Sequence, residues 1–204
     1  MNGKKTGGCL LLLVIAVALS WGGYECKYHY SKWSDYRNSP WAYSDDAEAK
    51  LLVGRWEGSF VDPDQVKKTI SLEVLAPLTD EERGEKASKR WKKASYSTRN
   101  KNRFDGIASV TSKLGTEQYE INGHVEKENM QKLSFGFQPV DEKKRILPNF
   151  TLFEAKNGTW DMDKLTTTLN FSYHWADGSS HWNSADPRHA KQVTVNLKRV
   201  SVDR

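Results

Sequence analysis

The stretch Leu51-Leu-Val-Gly54-Arg-Trp56-Glu-Gly58-Ser-Phe60, followed by Val66-Lys-Lys-Thr-Ile70-Ser-Leu72-Glu-Val74, decides the fold class. In the first run Leu52, Gly54, Trp56, Gly58 and Phe60 fall on one side, and Arg55, Glu57 and Ser59 on the other. In the second, Val66, Ile70, Leu72 and Val74 alternate with Lys67, Thr69, Ser71 and Glu73. Successive side chains of a strand point to opposite faces, so a period of two means one face buried and one in water. The turn residues Asp62-Pro-Asp64 between the two runs make them a pair of neighbouring antiparallel strands.

The same period continues downstream. Strands are expected over 91–99 and 103–112. Tyr119, Ile121, Gly123 and Val125 alternate with Gln118, Glu120, Asn122 and His124. Leu133, Phe135 and Phe137 mark another strand, and residues 149–154 one more. Leu165, Thr167, Leu169, Phe171, Tyr173 and Trp175 share a face, and Val193, Val195 and Leu197 close the chain. Asn157-Gly158 reads as a hairpin turn. The charged stretch 79–89 opens with a capping box at Thr79-Asp-Glu-Glu82, as a short exposed helix or long loop would. These elements make an all-β antiparallel meander of eight or nine strands. Short connections favour an up-and-down barrel, which leaves no exposed edges; a two-sheet sandwich is the rival.

Upstream the pattern changes. Lys4 and Lys5 precede an apolar run from Cys9 to Trp21, and no charge falls between Thr6 and Tyr24. That is the form of one N-terminal transmembrane helix or a cleaved signal. Lysines ahead of the run keep that end in the cytoplasm. The expected location is therefore a single-pass cell-membrane protein with the bulk extracytoplasmic, periplasmic in a Gram-negative cell. Cys9 and Cys26 do not fit a lipoprotein signal, and no cysteine follows position 26 to form a disulfide. Residues 1–26 thus read as anchor or signal, 27–44 as an aromatic juxtamembrane linker, and 45–204 as the folded domain. Ser44-Asp45-Asp46 offers an N-cap for a short helix through Lys50. The chain carries 31 Lys and Arg against 26 Asp and Glu. In an exported domain that excess points to an acidic protein partner or an anionic envelope surface, not to nucleic acid.

A short helix leading into Gly54-Arg55-Trp56 on the first strand of a meander resembles the lipocalin and fatty-acid-binding (calycin-like) superfamily. The resemblance implies that Trp56 plugs one end of a barrel. It implies that Lys198 or Arg199, on the last strand, packs over the indole. It also implies an internal cavity for a small apolar or lipid-like ligand, lined by Trp56, Phe171, Tyr173 and Trp175. The second lipocalin motif and a helix after the last strand are absent from this sequence. A barrel filled by its own side chains is the alternative.

The densest polar cluster runs from Tyr173 to His189. His174, His181 and His189 lie beside Asp177 and Asp186, and imidazole with carboxylate is what zinc takes. The spacing matches no metal motif, and Asp177-Gly178 and Asp186-Pro187 are turn dipeptides. Trp175 and Trp182, with Asn183, Asp177 and Asp186, suit a sugar platform; Trp175 also continues the inward register, and Trp182, off that register, is the better candidate for a binding contact. No phosphate loop, nucleophile elbow or acid–base carboxylate pair occurs, so no enzyme activity and no cofactor is expected. A non-enzymatic binding protein leads, holding an apolar or lipid-like ligand. A protein-binding module (inhibitor, immunity or assembly accessory protein) with a filled barrel follows, and a metal-dependent hydrolase is remote.

Overall fold

The computed structural model describes residues 5–46, 48–77, 102–181 and 192–200. The expected strand over 91–99 and the charged stretch 79–89 lie outside the described residues. Two compact units form, one containing the N-terminal helix and the other a β-structure that begins at Ser39.

Helix α1 spans Lys5–Asn38. Residues 27–38, part of the stretch read as a juxtamembrane linker, are helical. Their aromatic and basic side chains show no single buried face but meet three and four residues apart, where helix neighbours lie. Tyr30 and Trp33 rings stand 5.9 Å apart. Lys32 lies 5.4 Å from the Tyr36 ring and Arg37 5.1 Å from Trp33. Asn38 turns its amide back to the Ser34 carbonyl at 2.6 Å, and Pro40 bars helical geometry at the residue before it. Among the described residues no helix is long and apolar enough to cross a membrane. The side chains of residues 5–13, the front of the apolar run, lie outside that description.

The second unit is a closed antiparallel barrel. Its strands are β1 (Gly54–Val61), β2 (Lys67–Val74), β3 (Arg103–Ser112), β4 (Gly115–Val125), β5 (Lys132–Pro139), β6 (Asn149–Asp161), β7 (Lys164–His174), β8 (Ser180–His181) and β9 (Gln192–Val200). Each strand from β1 to β7 pairs with the next, β7 pairs with β9, and β9 returns to β1. Eight strands close the wall, and two-residue β8 lies along the end of β7. The meander is as expected, and closure excludes the sandwich.

Three local expectations change. Among the described residues of 45–50 none is helical. The capping groups act in turns instead, Ser44 Oγ accepting from the Asp46 amide and Asp46 Oδ1 from the Glu48 amide. Asn157-Gly158 is not a hairpin turn but a bulge inside β6, where the register with β7 shifts between Lys156 and Thr159. The turn falls at Met162-Asp163, between the paired residues Asp161 and Lys164. The folded unit also begins earlier than residue 45, because Trp41 and Ala42 are buried in its core.

The interior is occupied by the chain's own rings. One column runs Trp41–Phe104–Phe135–Phe137–Tyr119, with centroids 5.2–6.1 Å apart. A second runs Phe60–Phe171–Phe150 at 5.9 and 6.3 Å. Leu52, Ile70, Leu72, Leu165, Leu169 and Leu197 are fully buried among them. The first column needs Gly123: a Cβ there would come 2.2 Å from the ring of Phe104, its cross-strand partner. Gly123→Ala is expected to destabilise by roughly 1–3 kcal/mol through overpacking, read as a lower urea midpoint with unchanged slope.

Candidate functional site: the far end of the barrel

One end of the barrel is plugged. Gly54, at φ +130°, takes a backbone conformation other residues rarely adopt and leads the chain into β1. Trp56 follows, fully buried, its indole nitrogen donating to the Leu52 carbonyl at 2.9 Å. Arg199, directly across the ladder from Trp56, places its guanidinium 4.3 Å from the ring centroid. The same guanidinium donates to the carbonyls of Leu51, Val53 and Met162 and faces Asp163. Of the two basic residues expected there, Arg199 is the partner. Trp56 is thus a structural plug with no exposed face for a ligand.

The opposite, far end gathers the connections 62–66, 113–114, 140–148 and the chain after β7. Here the wall splits. The β5–β6 ladder ends at Gly136↔Glu154, so Phe137–Pro139 and the first residues of β6 part company. Backbone groups on a freed edge cost energy unless satisfied. Two inward side chains do this: Lys68 Nζ donates to the Phe150 carbonyl, and a backbone hydrogen bond from Leu152 reaches the Tyr119 oxygen.

Around them lies a buried polar chain. Lys68, 2% exposed, pairs with Asp62 Oδ2 at 3.1 Å and donates to Asn149 Oδ1 at 2.8 Å. Asp62 Oδ1 accepts from the Asp64 and Val66 amides, both at 2.9 Å, which shapes the β1–β2 turn. Asn149 Nδ2 donates to Glu117 Oε2 at 3.2 Å, and Tyr119 OH to the same oxygen at 3.0 Å. Burial, then the neighbouring Glu117 carboxylate, push the Tyr119 hydroxyl far above the ordinary tyrosine range, so it stays a donor.

His174, at the tip of β7, sets both ring nitrogens 2.9 Å from one Arg145 nitrogen. Only an unprotonated ring nitrogen can accept that bond. Burial, then the Arg145 charge, lower the His174 pKa below its ordinary value, while Glu142 acts the other way. The unfolded chain therefore binds more protons than the native one as pH falls below about 6.5. Stability contributed by neutral His174 is full above that value and lost as pH drops through the lowered pKa. Melting curves at pH 5 and 7.5 are expected to show a smaller acid-induced drop in Tm for His174→Gln than for the parent chain.

The expected site residues separate. Phe171 is core, and Tyr173 is half-buried, its ring 4.8 Å from Phe150. Trp175 does not continue the inward register. β7 ends at His174, the chain turns through residues 175–178, and the indole lies outside, 41% exposed and edge-on to Tyr173 at 4.8 Å. Trp182 and His189 lie outside the described residues, as does the side chain of His181. Among the described residues no group of His, Cys, Asp and Glu could hold a metal ion, and His174 is engaged by Arg145.

Lys68, Glu117 and Arg145 were not singled out from the sequence, Asp62 was read only as a turn residue, and Asn149 was not read as part of a site. Two carried a signal: Lys68 occupies the inward position between Val66 and Ile70, and Glu117 shares the register of Tyr119. A cleft of about 300 Å³ opens beside this network, lined by Glu117, Tyr119, Pro139, Val140, Lys144 and Arg145. A second, of about 270 Å³, lies on the outer wall between Arg55, Glu73 and Ile107 and meets the first at Val140.

No family model and no curated protein matches the chain. Among solved structures, a de novo designed fluorescence-activating β-barrel is similar, at 13% identity and a TM-score of 0.38, over 72% of this chain and 93% of that one.

Proposed function

We propose that the chain is a non-enzymatic binding module, held at the outer face of a cytoplasmic membrane by α1, that takes its partner at the far end of the barrel. The observation that supports this is the filled interior. A small apolar ligand inside would displace buried rings, each contributing roughly 1.5–3 kcal/mol by its burial. The two clefts described above lie on the rim and the outer wall. A partner bearing negative charge, an acidic protein or an anionic envelope surface, suits the basic balance of the chain. Trp56 beneath Arg199 supports a distant likeness to the lipocalin group.

The lipid-like ligand stands second, favoured by the rings Phe171, Phe150, Tyr173 and Trp175, which lead from core to surface. Tether and orientation are tested in spheroplasts. The chain should stay with membranes after carbonate washing, and added protease should digest the barrel from outside. Release by carbonate, or protection from protease, would sink this reading.

A further inference from the structure

The far-end connections carry large apolar side chains into solvent. Val61 ends β1, Leu114 forms the β3–β4 turn, Val140 and Leu147 lie on the 140–148 loop, and Trp175 on the turn after β7, each 39–54% exposed. Lysines stand beside them. Lys67, Lys113 and Lys143 are exposed and carry no ion pair among the described residues. Most carboxylates of these connections are engaged: Asp62 with Lys68, Asp141 with Lys144, Glu142 with Arg145, and Asp177 with Ser179.

Single apolar residues on separate turns do not make the continuous groove that a partner's helix or strand needs. They suit a soft apolar layer beneath a charged one, where each turn can insert one side chain while lysines meet headgroups. We infer that the far end of the barrel docks on an anionic lipid bilayer, with Leu114, Val140, Leu147 and Trp175 entering the interface and Lys67, Lys113 and Lys143 facing phosphates. The inference rests on the reading of this end as the binding face.

The full chain, inserted in phosphatidylcholine nanodiscs, is mixed with vesicles containing phosphatidylglycerol or phosphatidylcholine alone and floated on a gradient. Co-flotation is expected with the anionic vesicles and not the neutral ones. The Leu114→Ser, Val140→Ser, Leu147→Ser triple variant should lose it by about tenfold or more, as should charge reversal at the three lysines. These side chains are exposed, so unchanged Tm confirms that each variant is folded. Failure of the folded parent to float with anionic vesicles would overturn the inference. So would a triple variant that floats as well as the parent, or an acidic protein that binds the rim when vesicles do not. A chain that stays out of the nanodiscs sinks the tether alone, and flotation of the free chain then still reads the rim.

Discussion

Lys68→Met is expected to lower the stability of the barrel by about 3–5 kcal/mol. Its ammonium is buried at the far end and meets three acceptors, Asp62, Asn149 and the Phe150 carbonyl. Methionine fills similar space but leaves the Asp62 carboxylate, 2% exposed, without its counter-charge. It also strips the donor from the freed edge of β6. Small domains are stable by only about 5–15 kcal/mol, so this one change removes a large share. The double variant Lys68→Met, Asp62→Asn should recover part of the loss, because no charge is then stranded. Urea unfolding of the four members of that cycle checks the coupling. A single variant as stable as the parent would mean that the ammonium is not buried at this position.

Trp56→Ala should cost about 3–5 kcal/mol, the usual price of emptying an aromatic site in a packed core. The ring is fully buried, holds the Leu52 carbonyl and lies beneath Arg199. The cation–π contact accounts for about 0.5–2 kcal/mol of this, so Trp56→Phe should lose less than Trp56→Ala. If Arg199→Ala and Trp56→Ala are additive, measured by chemical unfolding, the two side chains do not act together. Coupling of their effects is the expected result.

Much of the fold was legible because one wall face is wet and the other dry. β3, expected over 103–112, takes those bounds, and the Gly54-Arg55-Trp56 run pointed to the plug and its basic partner. What a period of two does not encode is where a strand leaves its neighbour. The β5–β6 split sits between residues whose alternation looks ordinary, so the polar network that repairs it went unseen, although a lysine at an inward position was its trace. Trp175 misled for the same reason: the register continues in sequence after β7 has ended in space. Helix 27–38 was hidden because its side chains pair along the surface and not on one buried face. Asn157-Gly158, a favoured turn dipeptide, was absorbed into a bulge, where a positive φ at Asn157 serves equally well.

The central claim is that this barrel is filled by its own side chains and binds on its rim. Native mass spectrometry of the full chain, purified without denaturation and released from detergent in the instrument, tests it most directly. The expected result is the mass of the bare polypeptide in the folded charge states. A small-molecule adduct in fixed ratio, present in folded charge states and lost from unfolded ones, would contradict it and restore the internal ligand.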